Sequence, residues 1–137
     1  MLSFFKEIYL TGFTIFFKVG SANWTHGINI GKGVTGVAMV EWLILIGIAS
    51  QIDALIGTRS LLDIPKWTAI FAFLVLCAAN HYVLVVCRHG IVFEREFTNL
   101  KKSRRILLVA ACAAITLVAI AFFISAAQAH RKLLIHS

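Results

Sequence analysis

Three long apolar runs constrain this chain more than any other feature: Val34 to Ile56, Trp67 to Cys87 and Ile106 to Ala127. About 20 apolar residues, rising about 1.5 Å each, cross the roughly 30 Å hydrocarbon core of a bilayer. Lipid offers no partner for a backbone N–H or C=O, so each run must satisfy its own and is predicted to be a helix. Composition agrees: 60% of the 137 residues are hydrophobic and 14% charged, against about 45–50% and about 25% in a soluble domain. Mean hydropathy is +0.89. A soluble enzyme, a disordered tail and a secreted disulfide scaffold are excluded. The length is that of one unit, a single membrane domain over residues 1–137.

Gly57 and Pro65 bracket a short connection carrying Thr58, Arg59, Ser60 and Asp63, so the first two spans are expected to form an antiparallel hairpin. Orientation follows from basic residues in the short loops. One side carries Lys6, Lys18, Lys32, Arg88, Arg95, Lys101, Lys102, Arg104 and Arg105; the other carries Arg59, Lys66, Arg131 and Lys132. The richer side is expected to be cytoplasmic, with the N-terminus inside, the C-terminus outside, and a bacterial inner membrane as the setting. The net charge of +7 then points to anionic lipid headgroups rather than nucleic acid.

Residues 1–20 need a separate reading. Ser3, Glu7, Thr11, Thr14 and Lys18 share one helical face, and Phe4, Phe5, Ile8, Tyr9, Phe13, Ile15 and Phe16 cover most of the rest. This predicts an amphipathic interfacial helix with its Phe-rich side in the acyl boundary, or one that dips into the bilayer beside the spans. Gly20-Ser21-Ala22 resembles a signal-peptide cleavage site, which Glu7 and Lys18 fit poorly.

Gly31-Lys32-Gly33-Val34-Thr35-Gly36 spells G-x-G-x-x-G, but no buried strand precedes it, so nucleotide binding is not expected. The same run, taken from Gly27, falls one residue short of a Walker A loop and carries Gly33 where Ser or Thr should stand. The glycines are read instead as a flexible entry into the first span. Asn23-Trp24-Thr25 is a glycosylation sequon by spelling only, on the expected cytoplasmic side. Cys77, Cys87 and Cys112 are odd in number and fit no zinc spacing, so they are read as small buried hydrophobes.

The informative residues are polar ones within the spans. Counted from the span ends, Glu41, Asn80, His81 and Cys112 fall at a similar depth. A carboxylate in lipid costs about 2.5–3.5 kcal/mol on insertion scales, so Glu41 is expected to face the bundle and take His81 or Asn80 as partner. A clamp that fixes helix register competes with a proton relay or ion site; the clamp is preferred because a relay needs a continuous path. Glu41, His81 and Cys112 make a poor ligand set, and neither metal nor cofactor is expected. Asp53 stands near the outer end of its span, within reach of headgroups and of Arg59 or Lys66. Trp67 opens the second span as an aromatic anchor. Ala110, Ala111, Ala113, Ala114, Ala119 and Ala121 make the third span rich in small residues, which allow close helix approach within the chain or to another protein.

From Arg88 to Arg105 a basic cytoplasmic loop carries Phe93, Phe97 and Leu100 at helical spacing. Its Arg88, Arg95, Lys101, Lys102, Arg104 and Arg105 are expected to face headgroups, as a solvated linker or as a helical docking surface. Asn80-His81-Tyr82, followed by this amphipathic basic loop and a third apolar helix, resembles small uncharacterised three-span bacterial inner-membrane proteins. Some of those accompany polymorphic-toxin genes as immunity partners. The resemblance covers residues 80–128 and carries over no functional residue.

The expected fold is therefore all-α: three transmembrane helices plus an N-terminal amphipathic interfacial helix. With no nucleophile–base pair or paired carboxylates, an enzyme is not expected. Three roles remain: binding a membrane partner through helix–helix contact, of which toxin immunity is one form; serving as an accessory subunit of a larger complex; or forming a homo-oligomeric proton or ion pathway through Glu41 and His81.

Overall fold

Five α-helices carry the chain in a computed structural model that describes residues 2–19, 26–57 and 64–135. They are α1 (Leu2–Lys18), α2 (His26–Ile56), α3 (Lys66–His81), α4 (His89–Phe97) and α5 (Lys102–Ile135). A π-helical stretch, Tyr82–Val86, prolongs α3. No strand occurs among the described residues. The segments Ile28–Ile56, Lys66–Val86 and Lys102–Ser125 are long and apolar enough to cross a membrane, which marks an integral membrane protein. The cleavage-like Gly20-Ser21-Ala22, the Asn23-Trp24-Thr25 sequon and Arg59 lie outside the described residues, as do the side chains of Arg131 and Lys132.

Residues 26–33, expected as a flexible entry, are instead the first turns of α2. The reason is steric. A Cβ on Gly33 would lie 2.6 Å from the Phe13 ring, and one on Gly36 would lie 2.2 Å from the Phe16 ring. The glycines are a groove into which α1 sets two aromatic rings, and contact with those rings offsets their poor helix propensity. Lys32 reaches back to donate from Nζ to the Val19 carbonyl at 2.6 Å, covering an acceptor at the end of α1. At the other end of α2, Gly57 adopts φ +71°, the left-handed conformation that terminates helices.

The polar stripe expected on α1 is only partly a polar surface. Ser3 and Lys18 are exposed, but Thr11 and Thr14 are fully buried. Their hydroxyls donate to the carbonyls of Glu7 and Leu10, four residues back, at 2.7 and 3.0 Å. A threonine so satisfied presents a methyl group to its neighbours and packs as a small apolar residue. Phe4 and Phe5, in contrast, are exposed.

The basic segment 88–105 is not a plain loop. Arg88 takes a left-handed φ of 58° at the end of the π stretch and turns the chain into α4. Phe93 and Phe97, one turn apart, bury themselves in a core with Ile8, Phe13, Phe17, Val34, Leu84 and Leu108. Two ion pairs fasten α1 beside this core: Arg104 grips Glu7 through two guanidinium nitrogens at 2.7 and 3.2 Å, and Lys18 meets Glu94 at 3.2 Å. The long helices α2 and α5 run in the same direction, since their contacts climb together: Glu41 and Cys112 line one cavity, Gly47 holds Phe122, and Gln51 bonds Ser125. A chain crossing a bilayer three times requires that relation between its first and third spans.

Candidate functional site

Glu41, near the middle of α2, finds its partner in Asn80 at the end of α3. Asn80 Nδ2 donates to Glu41 Oε2 at 2.6 Å and to the Leu76 carbonyl at 3.0 Å. The Tyr9 hydroxyl of α1 donates to Asn80 Oδ1. Asn80 is 4% exposed. One amide thus ties three helices together, with both of its ends used. Buried polar atoms in an apolar medium cost free energy unless paired, and this network pairs them in sequence.

Burial, with the nearby Glu41 charge as a lesser cause, pushes the Tyr9 hydroxyl up to about 12. The phenol therefore remains a donor over the whole physiological range.

Beside this network, α1, α2 and α5 line a half-open cavity of about 200 Å³. Tyr9, Glu41, Cys112 and Thr116 stand among its lining residues, but the surface they and their aromatic and aliphatic neighbours present to it is almost wholly apolar. Thr116 donates to the Cys112 carbonyl at 2.9 Å.

Of the four residues singled out within the spans, the structure joins Glu41 and Asn80 directly and sets Cys112 on the wall of the same cavity. His81 stands apart. Its side chain is exposed, because the next position on a helix lies about 100° round from Asn80. Tyr9 was missed because it was counted as one more aromatic on a Phe-rich face. The signal that finds it is the phenol itself, since a buried Tyr hydroxyl needs a hydrogen-bond partner.

Other placements differ from expectation. Asp53 is 2% exposed and faces the bundle rather than the headgroups. Trp67, at the start of α3, is 81% exposed. Of the basic residues in segment 88–105, Arg88, Arg95, Lys101, Lys102 and Arg104 are exposed and Arg105 is half-buried. Among the described residues no group of three His, Cys, Asp or Glu side chains converges as a metal site. No protein-family model matches the chain, and no curated protein or solved structure shows a significant match to it.

Proposed function

We propose that this chain is a small non-enzymatic membrane protein that works by docking one face of α5 against the helices of a membrane partner. The observation that supports it is the division of α5 into two faces. Leu108, Cys112, Ile115, Ala119 and Phe122 follow the helical repeat toward the bundle, with Leu108 and Ala119 buried. Ala110, Ala113, Ala114 and Ala121 fall on the opposite side and are all exposed, set among the exposed Ile106, Leu117 and Ile124. Lipid tails are as apolar as leucine, so a lipid-facing surface gains nothing from alanine. A helix-facing surface does gain, because small side chains let backbones approach.

An immunity protein against a membrane-acting toxin is one concrete form, in which the α5 face occupies the toxin's own packing surface. In this reading the N-terminus is cytoplasmic, and α1 and α4 lie at the inner headgroup level. Exposed Lys6, Lys18, Arg95, Lys101 and Lys102 support that placement by attraction to anionic lipid.

The test is purification from native membranes in mild detergent, with the mass of the intact complex determined. A second polypeptide in fixed ratio, lost when Ala110 and Ala121 are changed to Leu, is the expected result. A monomer with no companion overturns the proposal, and a homo-oligomer replaces it with the ion-pathway reading.

A further inference from the structure

We propose that the groove between α1 and α4 is a binding site for the headgroup of an anionic glycerophospholipid, with Lys6 and Arg88 as its phosphate partners. The site is separate from the alanine face of α5, and it stands whichever side of the membrane this end faces.

Position comes first. Helix α4 joins the end of one candidate span, Lys66–Val86, to the start of the next, Lys102–Ser125. Headgroups lie where apolar spans end, so a groove along α4 is level with them.

The groove's surface then selects the ligand class. It is a half-open space of about 460 Å³ bordered by Lys6, Glu7, Arg88, His89, Glu96 and Arg104. Unlike the cavity beside Glu41, it exposes polar and apolar surface in nearly equal parts. Leu10 and Phe93, both buried, supply some of the apolar share. With histidine counted as neutral, the charged groups leave one net positive charge: Lys6 and Arg88 outweigh Glu96, while Arg104 and Glu7 cancel in their ion pair. Among the described residues neither Lys6 nor Arg88 has an ion pair or a side-chain hydrogen bond. Two such cations beside apolar surface match a phosphate ester on a glycerol backbone. Ser3 and Glu96 line the same groove and can accept from headgroup hydroxyls, which phosphoglycerol carries and phosphocholine lacks.

The backbone at Arg88 points the same way. Its φ of 58° lies in the left-handed region, which Gly or Asn enters at lower cost. Arginine at such a place keeps a charge on the rim at the expense of backbone strain. The volume also suits one headgroup, since it falls within the roughly 300–1,000 Å³ of small-molecule sites.

Native mass spectrometry of the purified protein in maltoside micelles tests this, with phosphatidylglycerol, phosphatidylethanolamine and phosphatidylcholine titrated separately. Retention of phosphatidylglycerol is expected, at least about tenfold tighter than either zwitterionic lipid. Arg88→Asn, which suits the left-handed turn, and Lys6→Gln should each weaken it about fivefold. Lys66→Gln removes an exposed charge at the start of α3, outside the groove, and should leave it unchanged. No preference for phosphatidylglycerol, or equal losses in the Arg88→Asn and Lys66→Gln proteins, overturns the proposal. Glycerol phosphate at the lipid's own concentration should displace nothing. Displacement by it would reassign the groove to soluble phosphate esters and overturn the lipid site as well.

Discussion

The two ends of the molecule are built on different principles. Where α1 and α4 pack, the chain has a dense aromatic interior: Phe13, Leu84 and Leu108 are wholly buried, with Phe93, Phe97 and Phe17 around them. Toward the connection between α2 and α3, side chains just as apolar stand in the open. Leu55 is 86% exposed and Phe71 is 69% exposed. In water such a difference would mean one folded end and one unfolded. In a bilayer it means that one end is solvated by protein and the other by lipid, at little difference in hydrophobic free energy. What selects the packed end is shape and polarity. Glycines 33 and 90 both face the ring of Phe13, so that α2 and α4 close on it from two sides. Asn80 ties α3 to α1 and α2 nearby.

The contrast can be broken most directly at Phe13. Phe13→Ala leaves a void that neither glycine can fill and should cost about 3–5 kcal/mol, read as earlier loss of helicity when sodium dodecyl sulfate is added to mild-detergent micelles. Gly36→Leu forces a side chain into the Phe16 ring and should cost about 1–3 kcal/mol by overpacking. Gly31, five residues earlier, has nothing within 4 Å of its Cβ position, and Gly31→Ala should gain up to about 1 kcal/mol from helix propensity. Equal effects at the two glycines would mean that the groove is not what holds α1.

The polar tie sharpens the comparison further. Asn80→Leu leaves a carboxylate and a phenol without their partner and should destabilise by about 1–3 kcal/mol. A double-mutant cycle with Tyr9→Phe should return a coupling of about 0.6 kcal/mol, the usual scale for hydrogen bonds between membrane helices. The raised Tyr9 ionisation has a defined sign. Between the ordinary value of 10.0 and about 12, the unfolded chain has released a proton that the folded chain keeps, so stability falls as pH rises through that window. Tyr9→Phe should remove this fall, together with a tyrosinate absorbance step near the top of the range.

Smaller effects are expected at exposed positions. Arg104 is 57% exposed in its pair with Glu7, so Arg104→Gln should cost about 0.2–1 kcal/mol and lose even that in high salt. At the lipid-solvated end, Leu55→Ala should change the unfolding midpoint by no more than about 0.5 kcal/mol in stability.

Much of the architecture is legible in the sequence because lipid leaves the backbone few choices. The apolar run 34–56 lies inside Ile28–Ile56, and the runs 67–87 and 106–127 match Lys66–Val86 and Lys102–Ser125 apart from one and two residues at their ends. Counting residues from the span ends brought Glu41 and Asn80 to one depth, and they bond. Depth along an axis is what such counting measures. Azimuth is not, and azimuth separates buried Asn80 from exposed His81.

The remaining features belong to tertiary structure. Helical periodicity places Thr11 and Thr14 on a polar stripe, yet their hydroxyls are satisfied by their own helix and their methyl groups go inward. Glycine spacing on α2 reads equally as a flexible segment or as a groove, until two phenylalanines of another helix are seen to fill it. Tyr9 looks like one aromatic among many until its hydroxyl is seen to donate a hydrogen bond to Asn80. The amino-acid sequence by itself determined which segments are helices in lipid, because that follows from hydrophobic length and backbone hydrogen bonding within each segment. Which face of each helix turns inward was decided only by the tertiary structure, because side-chain shape and the pairing of polar groups across helices exist only once the helices meet.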